Sequence, residues 1–138
     1  MVNTLNMQDL RYLDLFERIT GVITRYCFQY NNAIIFSVPR NLISKSLGPD
    51  ARNIRRMSEI LKKRIKVVPF PKEVKDIKLF IEAVVSPVTF KSLEIFPNEI
   101  VLTAGMQSKA ALIGRNRRRV IEMRSIVKDF FKRDFRIV

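Results

Sequence analysis

The chain contains no histidine, no tryptophan and a single cysteine, Cys27. Without histidine, the commonest general base and metal ligand, a histidine-based catalytic triad and a histidine-ligated metal site are both excluded. One cysteine cannot form an internal disulfide, and Cys27 lies in a strand-like run where core packing is its expected role. The thirteen carboxylates are scattered, and no two of them share a pocket-forming motif. We therefore expect a protein that is not an enzyme and that has no catalytic residue, metal site or cofactor.

Long apolar runs are also missing. No stretch of 18 apolar residues is present, and residues 1–10 lack the basic-then-apolar pattern of a signal peptide. We therefore expect a cytoplasmic protein that does not span a membrane.

Positive charge, in contrast, is abundant: 26 Lys and Arg against 13 Asp and Glu give a net charge of +13. This excess favours a polyanionic partner, with nucleic acid ahead of an anionic membrane surface.

Two short stretches of the chain are alike. Leu47-Gly48 precedes Pro49-Asp50-Ala51 and a basic run, and Ile113-Gly114 precedes Arg115-Asn116-Arg117 and a second basic run. The two glycines are separated by nearly half the length of the chain. The sequence therefore predicts two copies of one unit, 1–70 and 71–138, with a short join at 69–72. Units this small bury little surface alone, so we expect the two to pack together.

In the second copy, the residues after Gly114 predict an anion-binding helix start. Asn116 is placed to cap the helix, behind which apolar residues recur at steps of three and four. This stripe consists of Val120, Met123, Val127, Phe130 and Phe131. Free backbone N–H groups and the positive end of the helix dipole coincide with four clustered arginines. These are Arg115, Arg117, Arg118 and Arg119, and the expected anion is a phosphate backbone.

The first copy repeats the scaffold with weaker anion chemistry. Asp50 takes the capping position and adds negative charge, while Pro49 has no N–H to offer. The helix stripe is Ile54, Met57, Ile60 and Leu61. For the basic residues of this helix, which include Arg52 and Arg55, a solvated surface is an equally good explanation. We expect the first loop to bind anions less well than the second.

Hydrophobic periodicity predicts the same six elements in each copy. The first copy begins with a helix to about Ile19, capped by Thr4 or Asn6 and stopped by Gly21. Its buried stripe is Leu10, Leu13, Phe16 and Ile19 or Thr20. Strands at 22–29 and 33–38 flank an Asn31-Asn32 turn, and helices at 42–47, capped by Asn41, and 51–63 precede a strand at 65–68. The second copy has a helix at 74–85, strands at 88–96 and 100–103, a helix at 108–113, a long helix ending near 132 and a strand at 135–138.

This order of elements, with an apolar-Gly-x-x loop between two helices, resembles the type II KH domain. The pair resembles the tandem KH module of the archaeal NusA-like transcription factors. The likeness covers nearly the whole chain and is carried by residues 10–21, by Leu47-Gly48 with 53–56 and 65–68, and by 113–116. It implies an α+β fold of two tandem type II KH domains, each α-β-β-α-α-β, packed together.

The loop of that family reads Gly-x-x-Gly, and here Ala51 and Arg117 stand where the second glycine belongs. Either residue restricts the unusual backbone dihedrals that glycine permits. The resemblance implies that the helix start holds the nucleotide backbone, while apolar residues before and after each glycine line a groove under the bases. The expected RNA-binding residues are Ile113, Gly114, Arg115, Asn116, Arg117, Arg118, Arg119 and Val120 in the second copy, and Gly48, Arg52, Ile54 and Arg55 in the first. Leu47 would line the same groove.

The resemblance implies single-stranded RNA as the partner, a role in transcription termination or antitermination, and RNA polymerase as a candidate second partner. No small-molecule substrate is expected. Two alternatives stay open at this point: a ribosome-associated RNA binder, and a KH-fold protein-interaction module with degenerate loops. A metal-dependent nuclease is a more distant alternative.

Overall fold

The structure is a computed structural model that describes residues 6–138. Within that range, six α-helices and two three-stranded sheets form an α+β arrangement in which helix, strand, strand, helix, helix, strand occurs twice. The first set is α1 (Met7–Thr20), β1 (Tyr26–Tyr30), β2 (Ala33–Val38), α2 (Ile43–Leu47), α3 (Arg52–Leu61) and β3 (Arg64–Pro69). The second set is α4 (Ile77–Val85), β4 (Ser92–Ile95), β5 (Glu99–Thr103), α5 (Met106–Ile113), α6 (Arg118–Phe131) and β6 (Asp134–Ile137). The predicted order of elements is confirmed.

The two sheets share one topology. In each, the first two strands are antiparallel and the last strand lies parallel to the middle one. Ile34 lies opposite Ile65 in the first sheet, and Ile100 lies opposite Phe135 in the second. The chain between middle and last strand is therefore slightly longer in the second unit. Helix α6, with 14 residues against 10 in α3, accounts for this difference. The excess amounts to about one helical turn.

Helix α1 begins and ends at its predicted residues. The Asn6 side chain accepts from the backbone N–H of Asp9 at 2.8 Å in a capping box, and Gly21, at φ 74°, ends the helix. Thr4, the other predicted cap, lies outside the described residues. The predicted burial of Leu10 is wrong, because Leu10 is 53% exposed. Phe16 and Thr20 are buried as predicted, and with Tyr12 they form a buried face at four-residue steps.

The first unit has its core between α1, α3 and the inner face of its sheet. Phe16 and Phe36 stack with ring centroids 4.3 Å apart, and Met57 of α3 is fully buried in the same cluster. Burying each such side chain contributes about 1.5–3 kcal/mol. Strand β2 is buried along its whole length, on both faces of the sheet. Asn31 and Asn32 have φ of 52° and 60°, which is the two-residue hairpin turn that was predicted.

The second sheet buries one face, and the other only at its middle strand, where Val101 is 5% exposed. Ile100 and Leu102 of β5 and Phe135 of β6 are buried, while Glu94 and Arg136 are exposed. Arg136 Nε lies 3.2 Å from Glu99 Oε2 across neighbouring strands. Because exposed cross-strand ion pairs contribute little, the stability of this unit comes from its apolar face.

Several predicted element ends differ from the observed ones. β1 begins at Tyr26 rather than at residue 22, since Thr24 donates to the Ser37 carbonyl at 2.6 Å in place of a ladder bond. β4 begins at Ser92 rather than at residue 88. Asn41 does not cap α2, which follows a 3-10 turn at Arg40–Leu42. The predicted helix at 74–85 opens with a 3-10 turn, Val74–Asp76, before α4.

The residue contacts divide the chain into two compact units. One runs to Phe80 and the other from Ile81 to Val138, so the division falls inside α4. The predicted boundary at 70/71 lies instead in the segment between β3 and α4, and it stays a prediction. No α-helix within residues 6–138 has both the length and the apolar character needed to cross a membrane.

Candidate nucleic-acid interface

The loops that follow Gly48 and Gly114 have the same backbone conformation. Gly48 has φ, ψ of 75°, 172° and Gly114 has 78°, 167°. Asp50 (53°, 34°) matches Asn116 (56°, 29°), and Ala51 (56°, 31°) matches Arg117 (61°, 20°). The internal repeat predicted from the two glycines is therefore also a repeat of local structure.

The predicted helix caps are wrong in both copies. Asn116 and Asp50 make no capping hydrogen bond and lie in the left-handed region, and each helix begins two residues later. The loop instead closes on itself: the Arg117 N–H donates to the Gly114 carbonyl and the Ala51 N–H to the Gly48 carbonyl, both at 3.1 Å. A 3-10 turn thus occupies the groups that a side-chain cap would have used.

Ala51 and Arg117 adopt the left-handed conformation without being glycine. Their φ values are 56° and 61°. The expectation that replacing the second glycine would restrict this conformation is therefore wrong for the backbone shape. A side chain in this region costs about 1–2 kcal/mol, so the strain is met by the surrounding fold rather than avoided.

The first glycine of each loop is required by close packing as well as by its dihedrals. A Cβ on Gly114 would lie 2.9 Å from the backbone nitrogen of Arg119, in the first turn of α6. A Cβ on Gly48 would lie 2.8 Å from the side-chain nitrogen of Asn53. Each loop therefore lies directly against the helix that follows it.

Three of the four predicted arginines of the second loop are accessible to a ligand. Arg115, Arg117 and Arg118 are exposed, and none of them has an ion pair or side-chain hydrogen bond within residues 6–138. Arg119 differs, because its side chain is only 14% exposed and is paired with Glu122. The loop thus presents three free cations at the positive end of a 14-residue helix, which favours binding of an anion.

The first loop presents fewer free cations. Arg52 is exposed, but the Arg55 guanidinium donates to the Asp50 carbonyl within the loop itself. The Asn53 amide donates to the carbonyls of Lys45 and Ser46, both at 3.3 Å, at the end of α2. Asp50 is exposed and carries a negative charge beside these groups. The structure therefore places less positive charge here than at the second loop.

The apolar residues predicted to line a groove differ in accessibility. Ile54, Ile113 and Leu47 are half-buried, so part of each side chain can be reached. Val120 is 3% exposed and belongs to the core. Ile121, which was not among the predicted residues, is 54% exposed and lies one helical turn beyond Arg117 and Arg118. The sequence signal for this exposure is that Ile121 lies outside the apolar stripe of its helix.

Cys27 is not placed for chemistry. It is 2% exposed, and burial, with a smaller contribution from the negative charge of Asp9, raises the pKa of its thiol to about 12. The reactive thiolate is therefore scarce at neutral pH. Within residues 6–138, no three Cys, Asp or Glu side chains are arranged to hold a metal ion.

The fold is similar to that of a solved structure. The chain is similar over 97% of its length to the crystal structure of a protein designated APE1850, with a TM-score of 0.66 and 26% sequence identity, and covers 99% of that chain. No family model matches the sequence.

Two relatives are similar to the chain at low identity. One is the probable transcription termination protein NusA of Halococcus morrhuae, 27% identical over 95 residues, or 69% of this chain. The other is the protein of the same name from Methanococcus vannielii, 24% identical over 100 residues, or 71% of this chain. The matched stretches span 66% and 56% of those relatives, less than two thirds of either. These similarities support a distant NusA-like relationship.

Proposed function

We propose that this chain consists of two type II KH domains that bind single-stranded RNA, chiefly through the second loop. The observation that carries the proposal is the set of three exposed arginines, Arg115, Arg117 and Arg118, that have no partner within residues 6–138 and stand at the start of α6. A KH loop clamps the backbone of about four nucleotides, and this geometry supplies cations and the positive end of a helix dipole for that task.

In the proposed complex, phosphates lie against the loop after Gly114, and bases lie over the half-buried Ile113 and the exposed Ile121. Val120 supports this surface from the core. The first loop binds more weakly, because Asp50 repels phosphate and Arg55 is engaged by the loop carbonyl. The order of strands and helices in each unit, with its parallel pair, supports the KH assignment.

The setting that we propose is a nascent transcript, in termination or antitermination, with RNA polymerase as a partner. Support comes from the low-identity similarity to two proteins that carry the name of a probable transcription termination protein. The chain acts by binding, without cleaving the RNA, and needs no metal or cofactor for it.

The test is the affinity for short unstructured RNAs at about 50 and 200 mM salt. A variant with Arg115, Arg117 and Arg118 changed to Ala is compared with a control in which Arg11, Lys63 and Lys78, all exposed and far from this loop in sequence, are changed to Ala. Both variants have a net charge of 13 − 3 = +10.

The loop variant should lose most of the affinity, and its slope of log affinity against log salt should flatten by about 2, at about 0.7 per phosphate contact on a single strand. The control should keep its slope. Equal losses in the two variants would show that only net charge matters, and the proposal would fail.

A further inference from the structure

A cavity of about 310 Å³ lies at the end of the first sheet where β1 begins and β2 and β3 end. It is lined by Ile23, Thr24, Arg25, Tyr26, Ser37, Pro39 and Phe70. None of these residues belongs to either glycine loop. Its size matches the lower range of ligand sites, in which an apolar wall carries a few polar groups.

The unusual feature of this cavity is the hydroxyl of Ser37. Ser37 is fully buried, and its Oγ has no hydrogen-bond partner within residues 6–138. Leaving such a group unpaired costs about 1–3 kcal/mol, and native proteins rarely do so without a reason. The neighbouring Thr24 hydroxyl is satisfied, since it donates to the Ser37 carbonyl at 2.6 Å and accepts from the Tyr26 N–H at 3.3 Å. Ser37 therefore has one donor and one acceptor without a partner in the wall of this cavity.

The wall of the cavity carries two aromatic rings. Tyr26 and Phe70 are half-buried, with ring centroids 4.6 Å apart and an interplanar angle of 31°. A further flat ring has no room between them, but it can stack on the face of either ring. Stacking of a nucleobase on an aromatic side chain is worth about 1–3 kcal/mol.

A second cavity of about 650 Å³ shares Phe70 with the first and supplies positive charge. Arg40 and Lys72 line it and are exposed. Asp76 also lines it, but its carboxylate accepts from the backbone N–H groups of Lys72 and Glu73, both at 3.1 Å. The carboxylate is thus held by the turn at 72–76. The charged side chains that line this cavity sum to +1, from Arg40 and Lys72 against Asp76, which favours an anion.

We propose that these two cavities together bind one nucleotide, with its base on the Tyr26 and Phe70 rings and its phosphate between Arg40 and Lys72. The Ser37 hydroxyl pairs with a donor or acceptor on the base edge. An apolar side chain of a protein partner would fill the first cavity but would leave Ser37 unpaired and the cations unused. The nucleotide is either free or one unit of an RNA strand, and this site does not depend on the glycine loops.

The test is a titration of the isotope-labelled full chain with AMP, CMP, GMP and UMP, followed by NMR at the amides of Tyr26, Ser37 and Phe70. We expect saturable shifts with at least one nucleotide. Ser37→Ala should weaken that binding three- to tenfold, the value of one neutral hydrogen bond, without lowering the stability of the protein. The matched control is Ser46→Ala, because Ser46 is equally buried but already donates to the Leu42 carbonyl at 2.8 Å. That variant should lose stability and keep nucleotide binding.

The two halves of the site are tested separately. Changing Arg40 and Lys72 to Gln should lower the affinity for the nucleotide and leave the affinity for adenosine unchanged. In the wild type, ribose 5-phosphate should bind more weakly than any nucleotide that reaches saturation. The absence of saturable shifts, an unchanged affinity in Ser37→Ala, or ribose 5-phosphate binding as tightly as the nucleotide would each overturn the site.

The source of the nucleotide is identified in the variant that lacks Arg115, Arg117 and Arg118. In this variant, the shifts at the Ser37 amide are followed with a tetranucleotide and with a mononucleotide. If the tetranucleotide saturates them at the lower concentration, the site binds one unit of an RNA strand. If the mononucleotide does, the site binds free nucleotides. If RNA binding proves independent of the second loop while nucleotide shifts persist, the proposed function fails and this site stands. If the second loop binds RNA and no nucleotide shifts appear, this site fails and the proposed function stands.

Discussion

The two glycine loops have one backbone and two opposite electrostatic characters. Residues 49–51 carry a charge of −1, from Asp50, whereas residues 115–117 carry +2, from Arg115 and Arg117. Their dihedrals nevertheless agree position by position. The shape of the loop is therefore set by the first glycine and by the turn that closes on it. The charge is an independent property of the intervening side chains, and only in the second loop does it suit a phosphate.

The two sheets differ in the same way, by side chains on a common frame. Tyr26 and Phe28 of β1 occupy the positions that Ser92 and Glu94 occupy in β4. The first strand therefore adds apolar side chains to a face on which β4 carries polar ones, and Phe28 and Phe80 of α4 have ring centroids 6.0 Å apart. The first unit thus combines a weaker loop with a more apolar sheet and the nucleotide-sized cavity beside it.

The largest effect on RNA affinity should come from moving the second loop into the first. Pro49→Arg, Asp50→Asn and Ala51→Arg would write the second loop sequence onto the same backbone. Made in the variant that lacks Arg115, Arg117 and Arg118, the graft restores the net charge to 13 − 3 + 3 = +13. Two introduced arginines and the removal of the Asp50 carboxylate should raise RNA affinity at about 50 mM salt by at least tenfold, measured by fluorescence anisotropy.

The control for the graft carries the same three charges elsewhere, for example at the exposed positions Gln8, Gln29 and Gln107 changed to Lys. If graft and control bind RNA equally, the loop backbone has no special role in phosphate binding. The comparison of the two loops would then reduce to total charge.

The next effect separates the two first glycines. Both have φ near +75° with ψ near 170°, a region that is essentially restricted to glycine. Gly48→Ala should lower the free energy of unfolding by about 1–2 kcal/mol, since the Asn53 side chain can move away. Gly114→Ala should cost about 3 kcal/mol, because the new Cβ meets the backbone of α6 at Arg119. Urea unfolding followed by far-UV circular dichroism measures both, and equal losses would contradict the difference in packing.

Much of this architecture is readable from the sequence because local rules and burial agree. Asn31-Asn32 between two apolar runs, Gly21 after a helical stripe and the two loop glycines each have one favoured structure. The order of elements and the internal repeat follow from them. Met57 and Met123, at matched positions of α3 and α6, are both buried as their stripes predict.

What could not be read are features in which neighbouring groups compete. Neither Ala51 nor Arg117 favours a left-handed backbone by its residue type. The surrounding turn imposes that conformation on both. Asn116 has a good capping side chain, but the 3-10 turn occupies the helix start. The pairing of Arg119 with Glu122 needs a rotamer choice that the spacing permits without requiring. The unpaired hydroxyl of Ser37 depends on the packing of three strand ends, which no local pattern encodes.

A smaller effect concerns pH, and it is confined to the first sheet. Cys27 matches Leu93 in the second copy, so only the first sheet contains a buried titratable group at this position. Its thiol has a pKa of about 12 when folded, against an ordinary value of 9.0. Below pH 9 the thiol is neutral in both states and its contribution is complete. As the pH rises from 9 toward 12, the unfolded chain ionises first and stability is lost at about 1.4 kcal/mol per pH unit.

The measurement for this effect is the free energy of unfolding of wild type and Cys27→Ala between pH 7 and pH 10. The advantage of wild type over the variant should shrink by about 1.4 kcal/mol at pH 10. Leu93→Ala is the control, since it removes a half-buried side chain that does not titrate, and its difference from wild type should be the same at every pH. A constant difference for Cys27→Ala would mean that the thiol is more accessible than its burial indicates.

The smallest effect tests the strain that both loops share. Ala51→Gly removes the side chain from a left-handed residue and should stabilise the protein by about 0.5–1 kcal/mol, after the greater entropy of glycine in the unfolded chain is subtracted. RNA affinity should not fall, because Ala51 has no charge. Arg117→Gly relieves the same strain but also removes a free cation, so stability should rise while RNA affinity falls. Loss of stability in both variants would show that these left-handed residues are not strained, and that their side chains contribute contacts which outweigh the backbone cost. Opposite movements of stability and affinity at position 117, with stability alone changing at position 51, would show that the loops share their shape and differ in their charge.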